Sequence, residues 1–192
     1  MQRLVAIGAS AGGFQALTLI LGRLPVDFPA TIAIVQHRRP DESSLLRELL
    51  AQRTRLPVIE PFHGEPLRPG HVYIAPPDYH LLVEPGSVAL SVDPPINCSR
   101  PSIDALFDSA AAAYGRRAIG VVLTGANADG AEGAARLARV RAPIIIQDPA
   151  TAEAPACPAA ALARVPHASV LALGEVAERL TALCGGTRAT AD

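Results

Sequence analysis

Short apolar runs alternate with helical patterns in the first quarter of the chain. The run 4–7 has the length of a buried strand, and apolar positions from Phe14 to Leu24 follow it at helical spacing. A second strand is predicted over 31–36, and a second helix over 43–52 carries its leucines on one stripe. This order favours parallel strands that are joined by helices.

The segment 57–92 has a different pattern. It is rich in Pro, Gly and His, and short strands are predicted at 72–75, 81–83 and 88–90. Strands that are separated by Pro and Gly are typical of antiparallel hairpins. We therefore expect an inserted antiparallel hairpin region at this point of the chain.

Strands and helices alternate again from residue 102 onward. Ser102 is a candidate cap for a helix that runs to about Tyr114, and a nearly all-apolar strand follows over 118–124. Further elements are predicted in this order: a helix over 130–140, strands over 144–146 and 170–173, and a helix over 175–184. The pattern predicts an α/β fold of three layers (αβα), with a doubly wound, mainly parallel sheet. We expect one catalytic domain over 1–185 and a flexible tail over 186–192.

Composition and charge narrow the class of protein. Apolar residues make up 49% of the 192 positions and charged residues 18%, which is far from the composition of a disordered chain. The net charge is −1 and the arginines are scattered, so nucleic acid and anionic membranes are not expected partners. The first apolar run breaks at Gly8, too early for a signal peptide, and no run has the length of a membrane span. We expect a cytoplasmic protein that does not insert into a membrane.

Cysteine and histidine positions give no sign of a disulfide framework or a metal site. The three cysteines are an odd number, stand far apart and form no Cys-x-x-Cys pair, so we expect reduced, buried thiols. No histidine pair has the spacing of metal ligands on a helix. Four histidines are expected in loops or at the surface: His63, His71, His80 and His167. We predict neither a metal nor an organic cofactor.

Three reactive side chains stand at or just beyond predicted strand ends. Ser10 follows the first strand, His37 follows the second, and Asp129 lies beyond the strand that ends near Thr124. In doubly wound sheets, sites form at the carboxyl ends of strands near the switch in strand order. Taken alone, a strand-end histidine is more often packed or solvated than catalytic, and an aspartate before glycine is often only a helix cap. Together, the three residues have the composition of a hydrolytic triad.

The sequence around Ser10 favours the role of a nucleophile. Gly8-Ala9-Ser10-Ala11-Gly12 fits the tight strand-to-helix turn that exposes a reactive hydroxyl. The N–H of Ala11, at the start of a helix, is then a candidate donor to the oxyanion. The five-residue pattern is weak by itself, because small-residue turns between strand and helix are common.

Dinucleotide binding is the main alternative for the same turn. Gly8-x-Ser10-x-x-Gly13 differs at one position from the Gly-x-Gly-x-x-Gly fingerprint. However, the Ser10 side chain stands where the pyrophosphate needs close approach to the backbone. The second strand ends in Gln36-His37, where that fold carries an acidic residue for the ribose. Both details count against a nucleotide.

Several ordered motifs resemble the catalytic domain of the chemotaxis protein-glutamate methylesterases (the CheB type). The resemblance covers about residues 3–183. Its motifs are VAIGASAGG at 5–13, QH at 36–37, PGHVYIAP at 69–76, HL at 80–81, RPSIDALF at 100–107, LTG at 123–125, DGA at 129–131 and QDP at 147–149.

The resemblance implies both an activity and roles for residues. It implies a serine hydrolase that cleaves glutamate methyl esters on the cytoplasmic helices of chemoreceptors, releases methanol, and deamidates some glutamines. Ser10 is then the nucleophile, His37 the general base and acid, and Asp129 the residue that orients the imidazole. A backbone N–H near Ala126 is the expected second oxyanion donor, beside that of Ala11.

Some features leave alternatives open. Ala11 stands where the family often has Thr, and Ala126-Asn127 stands where Met-Gly is usual. Arg100, just before a predicted helix, is a candidate substrate contact, and a solvated loop arginine is equally expected. The chain begins just before the first strand, without the receiver domain usual in the family, so we expect an ungated enzyme or a separate regulatory protein. A non-catalytic binding module and an esterase for a different methylated signalling protein stay as alternatives.

Overall fold

A computed structural model describes residues 2–38 and 45–185. Strands and helices alternate through these residues, with most strands in one parallel sheet. In chain order the elements are β1 (Leu4–Ala9), α1 (Gly13–Arg23), β2 (Thr31–Gln36), α2 (Leu45–Ala51), β3 (Val58–Ile59), β4 (Val72–Ile74), β5 (His80–Glu84), β6 (Ser87–Ser91), α3 (Ile103–Tyr114), β7 (Ala118–Val122), α4 (Ala131–Arg139), β8 (Ile144–Gln147), α5 (Ala156–Arg164), β9 (Ser169–Leu171) and α6 (Val176–Cys184).

The parallel sheet has seven strands in the order β3-β4-β2-β1-β7-β8-β9, and β5 pairs with β6 in a separate antiparallel hairpin. The chain fills one side of β1 first and then crosses to β7 on the other side, which makes β1 the switch point. Ala9 pairs with Gln36, and Gly8 pairs with Val122. The carboxyl ends of β1, β2 and β7 therefore meet at one edge of the sheet.

The strands are apolar because helices cover both faces of the sheet. Along β1, Leu4 and Ala6 face a core formed with α3, α4, α5 and the hairpin. Val5 and Ile7 face the opposite core, formed with α1, α2 and α6. Alternate residues of a strand point to opposite faces, so each strand contributes to both cores. The three-layer, doubly wound α/β fold predicted from the sequence is confirmed.

The prediction of antiparallel strands was only partly right. The hairpin β5–β6 is antiparallel, but the predicted strand at 72–75 is β4, which runs parallel between β3 and β2. Val72, Tyr73 and Ile74 are fully buried, as a strand inside a covered parallel sheet requires. Pro and Gly marked where the loops lie, but they do not determine the direction in which the chain returns to the sheet.

One helix was missed. α5 contains Pro158, and Pro155 precedes it, yet both prolines lie at the first turn, where no helical hydrogen bond is lost. The predicted helix start at 43–44 and the tail 186–192 lie outside the described residues. Within the described ranges, every helix is too short or too polar to span a bilayer. All three cysteines are free. Cys157 is buried as expected, but Cys98 is exposed and Cys184 is half-buried.

Candidate active site

Ser10 lies in the tight turn between β1 and α1. The N–H of Ser10 donates to Thr124 O at 2.9 Å, and the N–H of Gly13 donates to Ser10 O at 2.8 Å. Gly12, which precedes α1, has the left-handed φ of 75° that glycine adopts readily. Ser10 itself has no positive φ. Gly12, and not a strained serine, therefore makes the sharp turn.

Small residues around Ser10 are required by close contacts. A Cβ on Gly13 would lie 2.0 Å from Gln36 Oε1, and one on Gly125 would lie 3.0 Å from the Cβ of Ser10. The Gln36 amide nitrogen donates to Ser10 O at 2.8 Å and to His37 O at 3.1 Å. Gln36 thus ties the backbone of one strand end to the next. Its position before His37 was visible in the sequence, but this role was not.

His37 lies between Ser10 and Asp129. Its Nδ1 is 3.2 Å from Ser10 Oγ, and its Nε2 is 2.7 Å from Asp129 Oδ2. An ionised carboxylate can only accept, so Nε2 carries the proton and Nδ1 presents a lone pair to the serine hydroxyl. In the serine-protease arrangement, Nε2 faces the serine and Nδ1 faces the aspartate. The imidazole is used here in the opposite orientation.

Asp129 is fully buried and surrounded by hydrogen-bond donors. Its Oδ2 accepts from His37 and from the N–H of Ile103, both at 2.7 Å. Its Oδ1 accepts from Ser102 Oγ (2.8 Å), the N–H of Asp104 (3.2 Å) and Asn97 Nδ2 (3.3 Å). Two of these donors are the first N–H groups of α3, which have no partner within the helix. The start of α3 therefore holds the carboxylate in place.

This environment keeps Asp129 ionised. Burial by itself would raise the pKa of the Asp129 carboxyl, but hydrogen bonds from His37, Ile103 and Ser102 outweigh burial and lower that pKa below its ordinary value of 3.8. An ionised Asp129 fixes the proton of His37 on Nε2. The nitrogen that faces Ser10 is then free to act as a base.

Asp104 makes the reciprocal contact with the start of α4. Its Oδ1 accepts from the N–H groups of Gly130 (3.0 Å) and Gly133 (2.7 Å), while Asp129, just before α4, caps α3. Burial, followed by the nearby charge of Asp129, raises the pKa of the Asp104 carboxyl despite these hydrogen bonds. Each aspartate thus occupies the N-terminus of the other's helix.

His80 corrects a sequence prediction. We expected it in a loop or at the surface, but it is 2% exposed and begins β5. The N–H of Ser102 donates to His80 Nδ1 at 3.2 Å, which leaves Nε2–H to donate to Pro94 O at 3.2 Å. His80 therefore helps to hold the residue whose hydroxyl donates to Asp129. The strand prediction started at 81, one residue too late to include it.

The two candidate oxyanion donors come from the loops that follow β1 and β7. Ala11 directly follows Ser10 in the turn before α1, and Ala126 lies in the loop that β7 leads into; both are exposed. Within the described part of the chain, neither backbone N–H donates to a backbone or side-chain acceptor. Thr124 Oγ1 donates to Ala11 O at 2.8 Å and so fixes the peptide that follows. Their role in binding an oxyanion stays a prediction.

Arg100 is not brought to the triad. Its Nε and Nη2 donate to Asp78 Oδ1 at 2.9 and 2.6 Å, and its Nη1 donates to Val92 O at 2.9 Å and Asp93 O at 3.1 Å. These partners engage all three guanidinium nitrogens and anchor the loop before α3. A substrate contact by Arg100 stays a prediction that these contacts do not support.

An open cleft of about 340 Å³ lies beside the triad. Ser10 and His37 line it together with Phe14, Gln36 and Leu46. A side chain carrying an ester or amide fits this volume. Over the described ranges, no three His, Cys, Asp or Glu side chains are grouped as metal ligands would be.

Known proteins share both the sequence and the fold. Residues 5–180 match the CheB methylesterase family. Protein-glutamate methylesterase/protein-glutamine glutaminase 2 of Anaeromyxobacter dehalogenans is 50% identical over 147 residues, which are 77% of this chain and 43% of that protein. The protein of the same name from Xanthomonas oryzae is 38% identical over 190 residues, 97% of this chain and 53% of that protein. This chain thus spans about half the length of these two relatives.

A relative from Leptospira interrogans is 39% identical over 175 residues, 91% of both chains. The crystal structure of the Thermotoga maritima CheB methylesterase catalytic domain superposes with a TM-score of 0.90 and 35% identity, over 95% of this chain and 99% of that one. Agreement in sequence and in fold over nearly the whole chain leads to one conclusion: the chain belongs to the CheB methylesterase family.

Proposed function

We propose that the chain is a cytoplasmic serine hydrolase that demethylates glutamate methyl esters on chemoreceptor proteins, with glutamine deamidation as a second activity. One observation carries the proposal: His37 bridges Ser10 Oγ at 3.2 Å and the ionised, buried Asp129 at 2.7 Å. Such a chain of hydrogen bonds turns a serine into a nucleophile at neutral pH. The relatives' names, protein-glutamate methylesterase/protein-glutamine glutaminase, support the choice of ester and amide.

Acylation is the first half of the proposed reaction. Ser10 Oγ attacks the ester carbonyl carbon while His37 Nδ1 takes the hydroxyl proton. Asp129 stabilises the imidazolium that forms, because its carboxylate stays ionised beside Nε2–H. In this proposal the N–H groups of Ala11 and Ala126 donate to the oxyanion. Collapse expels methoxide, which takes the proton back from Nδ1 and leaves as methanol.

Hydrolysis of the acyl-enzyme is the second half. Water enters the cleft beside His37, gives a proton to Nδ1 and attacks the acyl carbon. When the second tetrahedral intermediate collapses, Ser10 Oγ leaves the acyl carbon, takes that proton from His37 Nδ1, and glutamate is released. A glutamine side chain passes through the same acyl-enzyme and releases ammonia in place of methanol, so one site serves both activities.

Substrate helices meet the protein at the carboxyl edge of the sheet in this proposal. Ser10 and His37 are at this edge, and the cleft beside them opens to solvent. A glutamate methyl ester on an exposed helix reaches Ser10 without unfolding of that helix, because its side chain is long and neutral. The partner proposed here is the cytoplasmic helical region of a methyl-accepting receptor.

Methanol release from methyl-labelled receptor fragments tests the proposal. Ser10→Ala and His37→Ala are expected to lower kcat by roughly 10⁴–10⁶. Ser169→Ala, a serine removed from edge strand β9, is the matched control and keeps full activity. Methanol release that survives Ser10→Ala would show that another group is the nucleophile.

Labelling by a fluorophosphonate probe separates the enzyme from a binding module. Labelled Ser10 without methanol release from receptor fragments would support the same esterase chemistry on another protein. An unlabelled Ser10 in the folded protein would favour a non-catalytic module.

A further inference from the structure

Two carboxylates lie side by side behind His37. Asp129 and Asp104 each cap the helix that carries the other, and within the described residues no arginine donates to either. The N-terminal dipoles of α3 and α4 offset part of the two negative charges. Like charges this close repel each other, so their orientation depends on every donor between them.

Asn97 supplies the side-chain donor that the two carboxylates share. Its Nδ2 donates to Asp104 Oδ2 at 2.8 Å and to Asp129 Oδ1 at 3.3 Å, which uses both amide hydrogens. Among the described residues, this is the sole hydrogen bond of Asp104 Oδ2. The amide thus separates the two carboxylates and binds both.

The backbone around Asn97 holds its amide in this position. Ile96 and Ser99 exchange two backbone hydrogen bonds, at 3.1 and 2.9 Å, across a two-residue turn. Asn97 and Cys98, the two central residues, have φ values of 50° and 61°. Positive φ at both central positions is the type I′ turn, in which asparagine is favoured and cysteine is unusual. The bonds of Arg100 to Asp78 and to two loop carbonyls anchor the same loop.

On the proposed hydrolase function, we infer that Asn97 is a positioning residue: it fixes the Asp129 carboxylate so that Oδ2 faces His37. It acts through Asp129 and does not touch the ester. Without its amide, Asp104 Oδ2 is buried without a donor and the carboxylates repel each other directly. Asp129 then rotates away from His37 Nε2, and the imidazole loses its fixed proton.

The variant Asn97→Gly removes the amide and keeps the turn, because glycine adopts positive φ without steric strain. The rate at which a fluorophosphonate labels Ser10 is expected to fall about tenfold, as for loss of one hydrogen bond to a charged group. With a peptide glutamate methyl ester, kcat is expected to fall by a similar factor while KM stays unchanged. The matched control is Cys98→Gly, which relaxes the same turn, leaves the amide in place and is expected to label at the wild-type rate.

The variant Asn97→Asp gives a readout that a merely structural residue would not change. Titratable groups close to this position are Asp129, Asp104, His37, the Cys157 thiol that donates to Asp129 O, and His80 behind Ser102. A third carboxylate here stabilises the imidazolium of His37, so more base is needed to regenerate the neutral ring. The acid limb of the pH profile of kcat is expected to move measurably to higher pH.

The outcomes distinguish this inference from the function on which it rests. Wild-type protein that is not labelled and releases no methanol overturns the hydrolase function. The role of Asn97 alone is overturned if Asn97→Gly is labelled as fast as the labelled wild type and if the acid limb of kcat is unshifted in Asn97→Asp. Equal loss of labelling in Asn97→Gly and Cys98→Gly also overturns it, because the turn and not the amide would then be what matters.

Discussion

The nucleophile elbow (residues 8–13) and the carboxylate site (Asp129, Asp104 and Asn97) form the same crevice by different means. The elbow is one continuous segment, and small residues let its backbone turn sharply beside β2 and β7. The carboxylate site joins Asn97 and Asp104, which lie close together around the start of α3, to the distant segment around Asp129 through hydrogen bonds. Sequence-local geometry places Ser10, whereas tertiary packing places Asp129, the carboxylate that accepts from His37.

The two regions meet at Ile103, the first residue of α3. Its N–H donates to Asp129 Oδ2, and its side chain packs against Gly8 at the end of β1. A Cβ on Gly8 would lie 2.2 Å from Ile103 Cγ2, and one on Gly130 would lie 2.7 Å from the same atom. Any shift of α3 therefore changes the elbow and the carboxylate site together.

Among changes that leave Ser10 and His37 in place, the largest expected effect comes from breaking the carboxylate site. Asp129→Asn is expected to lower kcat by about 10⁴, because an amide no longer fixes the His37 proton on Nε2. Steady-state methanol release measures the loss. The control is Asp148→Asn, which replaces another strand-end aspartate that caps a short helical turn with an equally good cap. A loss in Asp129→Asn below tenfold would mean that the orientation of His37 does not depend on this carboxylate.

The second prediction concerns the packing contact between Ile103 and Gly8, which joins the two regions. Gly8→Ala places a methyl group against Ile103 and is expected to destabilise the fold by about 2–3 kcal/mol, as overpacking in a close-packed interior does. Urea unfolding measures this loss of stability. At Gly174 the nearest atom to an added Cβ is the flexible end of Arg23, at 3.2 Å, so Gly174→Ala is the control with little change. Equal stability of the two variants would show that α3 shifts freely away from β1.

The same contrast explains what the sequence could predict. Apolar strands, helical periodicity and the elbow are local patterns, so the three-layer fold and the positions of Ser10 and His37 at strand ends followed from them. The parallel direction of β4 and the burial of His80 depend on partners far along the chain. Asn97 and Asp104 meet Asp129 across 32 and 25 residues, and no spacing rule reports such contacts.

The third prediction compares the two carboxylates by pH. The pKa of Asp129 is lowered, so its contribution to stability is present above pH 3.8 and is lost as the pH falls below that value. Burial raises the pKa of Asp104, so its charge weakens the fold as the pH rises through and above 3.8. Thermal unfolding of wild type, Asp129→Asn and Asp104→Asn against pH measures both dependences.

The Tm differences between wild type and the two variants are expected to change with pH in opposite directions. The Tm advantage of wild type over Asp129→Asn shrinks as the pH falls below 3.8. As the pH falls through the range in which Asp104 becomes protonated, the Tm of wild type instead rises relative to that of Asp104→Asn. Parallel curves for the two variants would contradict the division of roles between the carboxylates.

The smallest expected effect concerns the cysteines of the two regions. Cys157 packs behind the elbow against Gly125, its thiol donates to Asp129 O at 3.2 Å, and burial raises its pKa to about 12. Cys98 is exposed on the turn outside the carboxylate site. Iodoacetamide at pH 8, followed by mass mapping, is expected to alkylate Cys98 quickly and Cys157 only after unfolding, because the thiolate is the reactive form.

Alkylation of Cys98 also tests how far the turn can be disturbed. The Cys98 side chain is exposed, so the modified protein is expected to keep most of its methanol release. Rapid alkylation of Cys157 in the folded protein would instead show that the packing behind Ser10 opens on the timescale of labelling. Such opening would reverse the comparison, since the elbow and not the carboxylate site would be the less rigid half of the crevice.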